Sequence, residues 1–260
     1  EEQVFFVDVI RTRALLWITL IFALLALIVG KIHGLRALAG LAITLAILFL
    51  VILPHILKGG DPVFITVIGS VLILAVNMHL SHGFSKKIFY AFLSTTVGLF
   101  LVCIFANLFV WFANLSGLAS EESALLYFET TDLAIPSGIL LAGIILGAVG
   151  VLDDIAVTQT ETVSELREAN PHMKDKDLFV STMRIGRHHI ASVINTLVLA
   201  YAGVALPLFL LFFSVDIDVW RFINEEVVAE EIVRTLAGTT ALILLVPIST
   251  WFAVKFKNKT

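Results

Sequence analysis

Long apolar stretches alternating with short polar ones dominate the chain, and each stretch is about as long as a bilayer is thick. One helix needs about 20 apolar residues to cross. Seven stretches qualify, at about 14–30, 37–57, 62–80, 88–113, 135–153, 190–213 and 235–254. The connections 31–36, 58–61 and 81–87 are tight, whereas 114–134, 154–189 and 214–234 are long. Pro54, Gly59, Gly60 and Pro62 punctuate one of the tight turns, where a helix has to stop. The pattern predicts an all-α fold, a polytopic transmembrane helical bundle of about seven spans, with residues 1–260 forming a single domain.

The fifth stretch breaks the pattern in an informative way. Residues 139–152 carry no polar side chain, and the next two are Asp153 and Asp154. A charge at hydrocarbon depth costs roughly 2.5–3.5 kcal/mol on insertion scales, so such groups tend to be sheltered, paired and functional. Beyond them Asp154, Thr158, Glu161, Glu165 and Glu168 recur at helical spacing, and Gln159 prolongs the polar patch. Asn170-Pro171 ends this helix, because the residue before a proline avoids the helical region. A second helix should start near 174–175 and run straight into the sixth span.

That span opens with Arg184-Ile-Gly-Arg-His-His189. Arg184, His188, Ser192 and either Asn195 or Thr196 share one helical face. Arg187 and His188 are expected at the depth of Asp153 and Asp154, with Asn195 about 10 Å deeper. Gly143, Gly147 and Gly150 open one side of the fifth span to close helix packing, and Ala200, Ala202 and Gly203 keep the sixth slim. Pro207 should bend its end. Between 214 and 234, Trp220, Ile223, Val227 and Val228 alternate with Asp218, Arg221, Glu225 and Glu226, as in a helix lying on an interface.

Composition strengthens this reading. Hydrophobic residues make up 59% of the chain, which excludes an ordinary soluble domain. With seven spans the sides alternate. Arg11, Arg13, Lys58, Arg221 and Arg234 then share the side of the N-terminus. Lys31, Arg36, Lys86, Lys87, Arg167, Lys174, Lys176, Arg184, Arg187, Lys255, Lys257 and Lys259 fall on the other. Cytoplasmic loops hold the excess of Lys and Arg, so the N-terminus is expected outside and the C-terminus in the cytoplasm. Fourteen of the 21 acidic residues lie outside, including Glu121-Glu122, Asp216, Asp218, Glu225-Glu226 and Glu230-Glu231, a face read as solvated surface. The opening Glu1-Glu2-Gln3 lacks an initiator Met and a signal-peptide pattern, which suggests the membrane part of a longer chain.

Other chemistries find little support. Lone Cys103 sits in an apolar span and reads as packing. His79 and His82 are the only histidine pair at i,i+3 spacing within a helix, with no cysteine to assist, so no metal is expected. Asp153 and Asp154 are adjacent and point about 100° apart, which does not suit a pair of catalytic carboxylates on separate spans. Ser137 has no histidine at its depth, and no phosphate-binding or dinucleotide motif occurs. No enzyme activity, cofactor or nucleic-acid partner is expected.

Several segments carry a family likeness: Gly147-Ala-Val-Gly-Val-Leu-Asp-Asp-Ile-Ala-Val-Thr-Gln159, Glu165-Leu-Arg-Glu-Ala-Asn-Pro171, Arg184-Ile-Gly-Arg187, and the run from Asn195 to Pro207. Together with residues 35–40 and 231–239 they resemble the YibE/F-like family of multi-pass membrane proteins, over essentially the whole chain. The resemblance implies a helical plasma-membrane domain, with Asp154, Asn170, Pro171, Arg187, Asn195 and Thr196 at the family's polar signature positions. Where many relatives have an acidic residue, this chain has His188, so a carboxylate role there does not transfer.

The residues point to a transporter or permease for a small ion or solute. Its path would run between the fifth and sixth spans, where Asp153 and Asp154 hold a cation or proton and Arg187 sets their charge. Asn195 and Thr196 would line the inner path, and Thr158, Gln159 and Glu161 would form a vestibule near Arg184 and His188. The alternative is a non-transporting membrane scaffold or assembly partner, in which an Asp–Arg contact locks two helices. Beyond the lipid bilayer and that solute, an oligomer is compatible with the sequence.

Overall fold

A computed structural model describes residues 10–129, 136–215 and 218–255. Asp216, Lys257, Lys259 and the opening Glu1-Glu2-Gln3, used in the readings above, lie outside these. The described residues form an all-helical bundle with no strand.

The first element, α1 (Thr12–Ile47), passes through a π-helical turn (Leu48–Ile52) into α2 (Leu53–Leu57). At about 1.5 Å per residue, the 46 residues from Thr12 to Leu57 would be roughly 70 Å long if straight, twice the hydrocarbon thickness. They are not straight. Lys31 leaves the helical region with φ 49 and ψ −125. Gly34 comes so close to Ala26 that a Cβ on it would overlap the Ala26 carbonyl. Residues eight apart in an unbroken helix are about 12 Å apart along its axis, so the chain turns back on itself here. The tight connection expected at 31–36 is therefore a sharp fold at Lys31.

From there the long helices alternate in direction. The second half of α1 packs antiparallel on α3 (Pro62–His82), with Asn77 donating to Thr44 at 2.9 Å and Ile52 filling the space over Gly69. Asp61 caps α3 by accepting from the Phe64 amide at 2.7 Å. Helix α4 (Lys86–Phe112) returns, and α5 (Glu121–Glu129) is a short excursion before α6 (Pro136–Ala169). Helix α7 (Asp175–Val204) ends at Ala205, and α8 (Leu206–Ser214) leaves it at 60°. Pro207 lies in the first turn of α8, where its missing N–H costs no helical bond. After α9 (Val219–Asn224), α10 (Glu226–Lys255) runs back through the bundle.

Among the described residues five helices are long and apolar enough to cross a membrane, or six if the bent α7–α8 pair counts as one. Helices α4, α6 and α10 form the centre. Helices α6 and α10 run parallel in a constant register: Gly143 lies beside Arg234, Ala148 beside Gly238, and Gln159 beside Thr250. Helix α7 runs antiparallel to α6, with Tyr201 beside Gly147, Asp154 beside His189, and Gly186 beside Gln159.

The surface helix expected across 214–234 is interrupted. Only the six residues of α9 stand apart, because Glu225 adopts an extended backbone at ψ 129 and α10 begins at Glu226. Val228 and Glu230 then turn into the bundle, so Glu230, 7% exposed, leaves the solvated face expected for it.

Candidate functional site

The polar residues of the fifth and sixth stretches do not all meet. Those that do lie along the inward stripe of α7. Leu178, Thr182 and Gly186 follow one another at i, i+4 and i+8, all buried, and the half-buried His189 continues the stripe. Facing them is the fully buried Gln159 of α6, whose amide would lie 3.0 and 3.3 Å from a Cβ placed on Gly186. The absent side chain at Gly186 therefore provides the room for that amide. Across from it, α10 contributes Val246, 2.7 Å from the same Cβ position, and Thr250, which donates to Gln159 Oε1 at 3.0 Å.

Hydrogen bonding in this seam is incomplete. The Thr250 hydroxyl also donates to the Val246 carbonyl at 2.7 Å, and it has only one proton to give. Gln159 Nε2, Thr182 Oγ1 and His189 Nε2 are shut away from solvent without a hydrogen-bond partner. Turning the amide round would let Nε2 donate to Thr250 and orphan Oε1 instead, so one amide atom stays unpaired either way. Leaving a buried polar atom unpaired costs about 1–3 kcal/mol.

At one end of the seam His189 Nε2 stands 3.8 Å from Asp154 Oδ2, where the Asp154 side chain is 66% exposed. Asp153 projects about 100° away, half-buried, with its Oδ1 enclosed and unpartnered. The expected arginine contact is not made. Arg184 and Arg187 are exposed, and among the described residues neither pairs with an aspartate. His189, one helical step from His188, takes that place. His188, Ser192, Asn195 and Thr196 are likewise exposed, on the outward side of α7, and Thr196 turns back to donate to the Ser192 carbonyl at 2.9 Å.

The expected vestibule also divides. Gln159 is interior, Thr158 is half-buried, and Glu161 pairs with Lys87 of α4 at 2.6 Å instead of facing α7. The glycines of α6 do not admit a neighbouring backbone. A Cβ on Gly143 would lie 3.0 Å from the Arg234 guanidinium, and one on Gly147 would lie 2.9 Å from the Tyr201 hydroxyl. Gly150 has open space beside it. Arg234 pairs with Glu231 at 3.3 Å. Beside them a cavity of about 310 Å³, walled by Val198, Ala202, Phe209, Ile232 and Leu236, receives Tyr201, Glu231 and Thr235. Among the described residues no three His, Cys, Asp or Glu stand close enough to hold a metal ion.

Sequence reasoning missed Thr182, Gly186, His189, Thr250, Tyr201 and Arg234. For the first three a signal existed. Leu178, Val193 and Leu197 mark the apolar side of α7, and Thr182, Gly186 and His189 fall on that same side.

The helices and the seam define a membrane-embedded helical protein with polar groups buried along one helix contact. The chain belongs to the YibE/F-like protein family, whose sequence pattern it matches over residues 18–259. No curated protein and no solved structure matches it.

Proposed function

We propose that the protein is a transporter for a small ion or solute, with a cation or proton as the species held, and that the α6–α7–α10 seam is its path. The observation carrying this reading is the trio of buried atoms without a hydrogen bond, Gln159 Nε2, Thr182 Oγ1 and His189 Nε2, drawn from two facing helices. Polar groups enclosed in a membrane bundle are costly and tend to mark ion or proton routes. Asp154 and His189 hold the cation beside the apolar run of α6, and Gln159 with Thr182 supplies the ligands at the end of the seam nearer the cytoplasm. Arg187 has no part in this version.

The topology that goes with it has seven crossings, with the fold at Lys31 dividing Thr12–Leu57 into two. The N-terminus is then outside and the C-terminus in the cytoplasm of a plasma-membrane protein, as the Lys and Arg distribution favours.

The test is flux into proteoliposomes of protons, Na⁺, K⁺, Mg²⁺ and Mn²⁺, compared for wild type, Asp154→Asn and Gln159→Leu. One of these ions should enter with wild type and at least about tenfold more slowly with each variant. No entry above empty liposomes for any of the five, or equal rates in all three proteins, removes the assignment. A second reading, a non-transporting scaffold, draws on the close fit at Gly186, where Val246 and Gln159 leave no slack. It requires the first of those negative results together with normal folding.

A further inference from the structure

We infer that the outward face of α7 is the contact between two copies of this chain, arranged side by side about an axis along the membrane normal. Arg184, Ala191 and Asn195 point directly away from the bundle, with Arg187 and His188 on the flanks, and all five are exposed. Asn195 is six residues from His189 and six from Tyr201. Its depth is therefore midway between Asp154 and Gly147, within the apolar run of α6. Among the described residues its amide has no hydrogen-bond partner.

An unpaired amide facing lipid is as unfavourable as one buried in a core, because hydrocarbon offers it nothing to bond. Something with a polar group at that depth must cover it.

A second copy fits on two counts. Around a two-fold axis the α7 helices run parallel and each residue meets its own equivalent at the same depth. An asparagine amide carries both donors and acceptor, so Asn195 can satisfy Asn195 of the other copy. Ala191 and Ser192, one turn away, are small enough to let the helices approach closely. Arg184 meets its own equivalent at the wet end of the helix, where water screens the two charges, and on the flank the charges complement. Arg184, Arg187 and the exposed carboxylate of Asp154 share one end of the bundle, and within one copy neither arginine pairs with that aspartate. Across the axis Arg187 of one copy comes alongside Asp154 of the other.

Cysteine cross-linking in membranes tests this without reference to transport. In a Cys103→Ala background, Asn195→Cys and Ala191→Cys should each give a disulfide-linked dimer on mild oxidation, since parallel contact brings their Cα atoms within about 7 Å. Phe100→Cys, on the exposed face of α4, should not. Asn195→Leu should weaken the dimer by about threefold to twentyfold, measured by energy transfer between labelled copies in nanodiscs. Its helical circular dichroism should stay unchanged, because position 195 is exposed on its own copy. Cross-linking of Asn195→Cys no better than Phe100→Cys overturns the inference. So does cross-linking to a protein of a different mass, or a dimer of undiminished strength in Asn195→Leu.

Discussion

Helix α6 has two very different neighbours. Toward α4 and α10 it is sealed by hydrocarbon: a Cβ on Gly98 would lie 3.0 Å from Leu152 and 3.1 Å from Leu245, and Ala148 lies against Gly238. At this depth nothing in the contact needs a hydrogen bond, and close packing holds it. Only further along α6 does Gln159 accept from Thr250 of α10 and Glu161 pair with Lys87 of α4. Toward α7 the same helix offers Asp154, and its Gln159 amide reaches Gly186, along a seam where three polar atoms stay enclosed without a hydrogen bond. The first contact resembles the interior of any helical bundle. The second gives up hydrogen bonds that could have been formed, which is reasonable where a solute supplies the missing partners. The dry contact builds the bundle, and the polar seam is where function is to be sought.

The sharpest way to break the comparison is to fill the seam. Gly186→Leu would place its Cβ 2.7 Å from Val246 and 3.0 Å from the Gln159 amide, so α7 has to move away. The expected loss is about 3 kcal/mol, the upper part of the overpacking range, read as a lowered unfolding midpoint in detergent. Gly150→Leu, with open space beside it, should be neutral or slightly stabilising, since leucine favours a helix by up to about 1 kcal/mol over glycine. Equal effects of the two would mean that the seam is as loose as the surface.

Drying the seam should do the opposite. Gln159→Leu removes the orphaned amide and leaves the Thr250 hydroxyl its bond to the Val246 carbonyl, so no new unpaired group appears. Stability should hold or rise by about 1 kcal/mol, because replacing a poorly satisfied buried polar group with an apolar one of similar size is often favourable. A loss of more than about 2 kcal/mol on unfolding would show that the amide is structural.

Much of this architecture was legible in the chain, for a simple reason. Apolar runs of bilayer length can only be helices, since lipid leaves no other way to satisfy the backbone. The turn at 58–61, the bend at Pro207 and the break after Asn170 all carry local signals in proline or glycine. The facing of α7 was not legible. Polar residues recur on both of its sides, and Arg184, His188 and Asn195 form the more conspicuous stripe. In a soluble helix that stripe would simply face water. In a bundle meant for lipid it was natural to turn it inward. The structure turns it outward, because Leu178, Thr182, Gly186 and Val193 are the residues slim or apolar enough to lie against α6 and α10. The contact of Arg234 with Gly143 was hidden for another reason, since it joins residues 91 apart through a helix register that no local pattern encodes.

The smallest effect is expected at the end of α6, where charge, not an unpaired amide, meets a neighbour. Lys87 and Glu161 approach to 2.6 Å, with their side chains 32% and 37% exposed. Water competes for both groups at that exposure, so the pair should add less than about 1 kcal/mol. Lys87→Met and Glu161→Gln, singly and together, give the coupling from unfolding midpoints, and about 0.5 M salt should erase most of it. A coupling above about 2 kcal/mol that survives salt would mean that the ends of α4 and α6 are held as firmly by charge as their centres are by packing. The polar side of α6 would then extend around to α4, and the contrast between its two faces would be confined to the apolar depth alone.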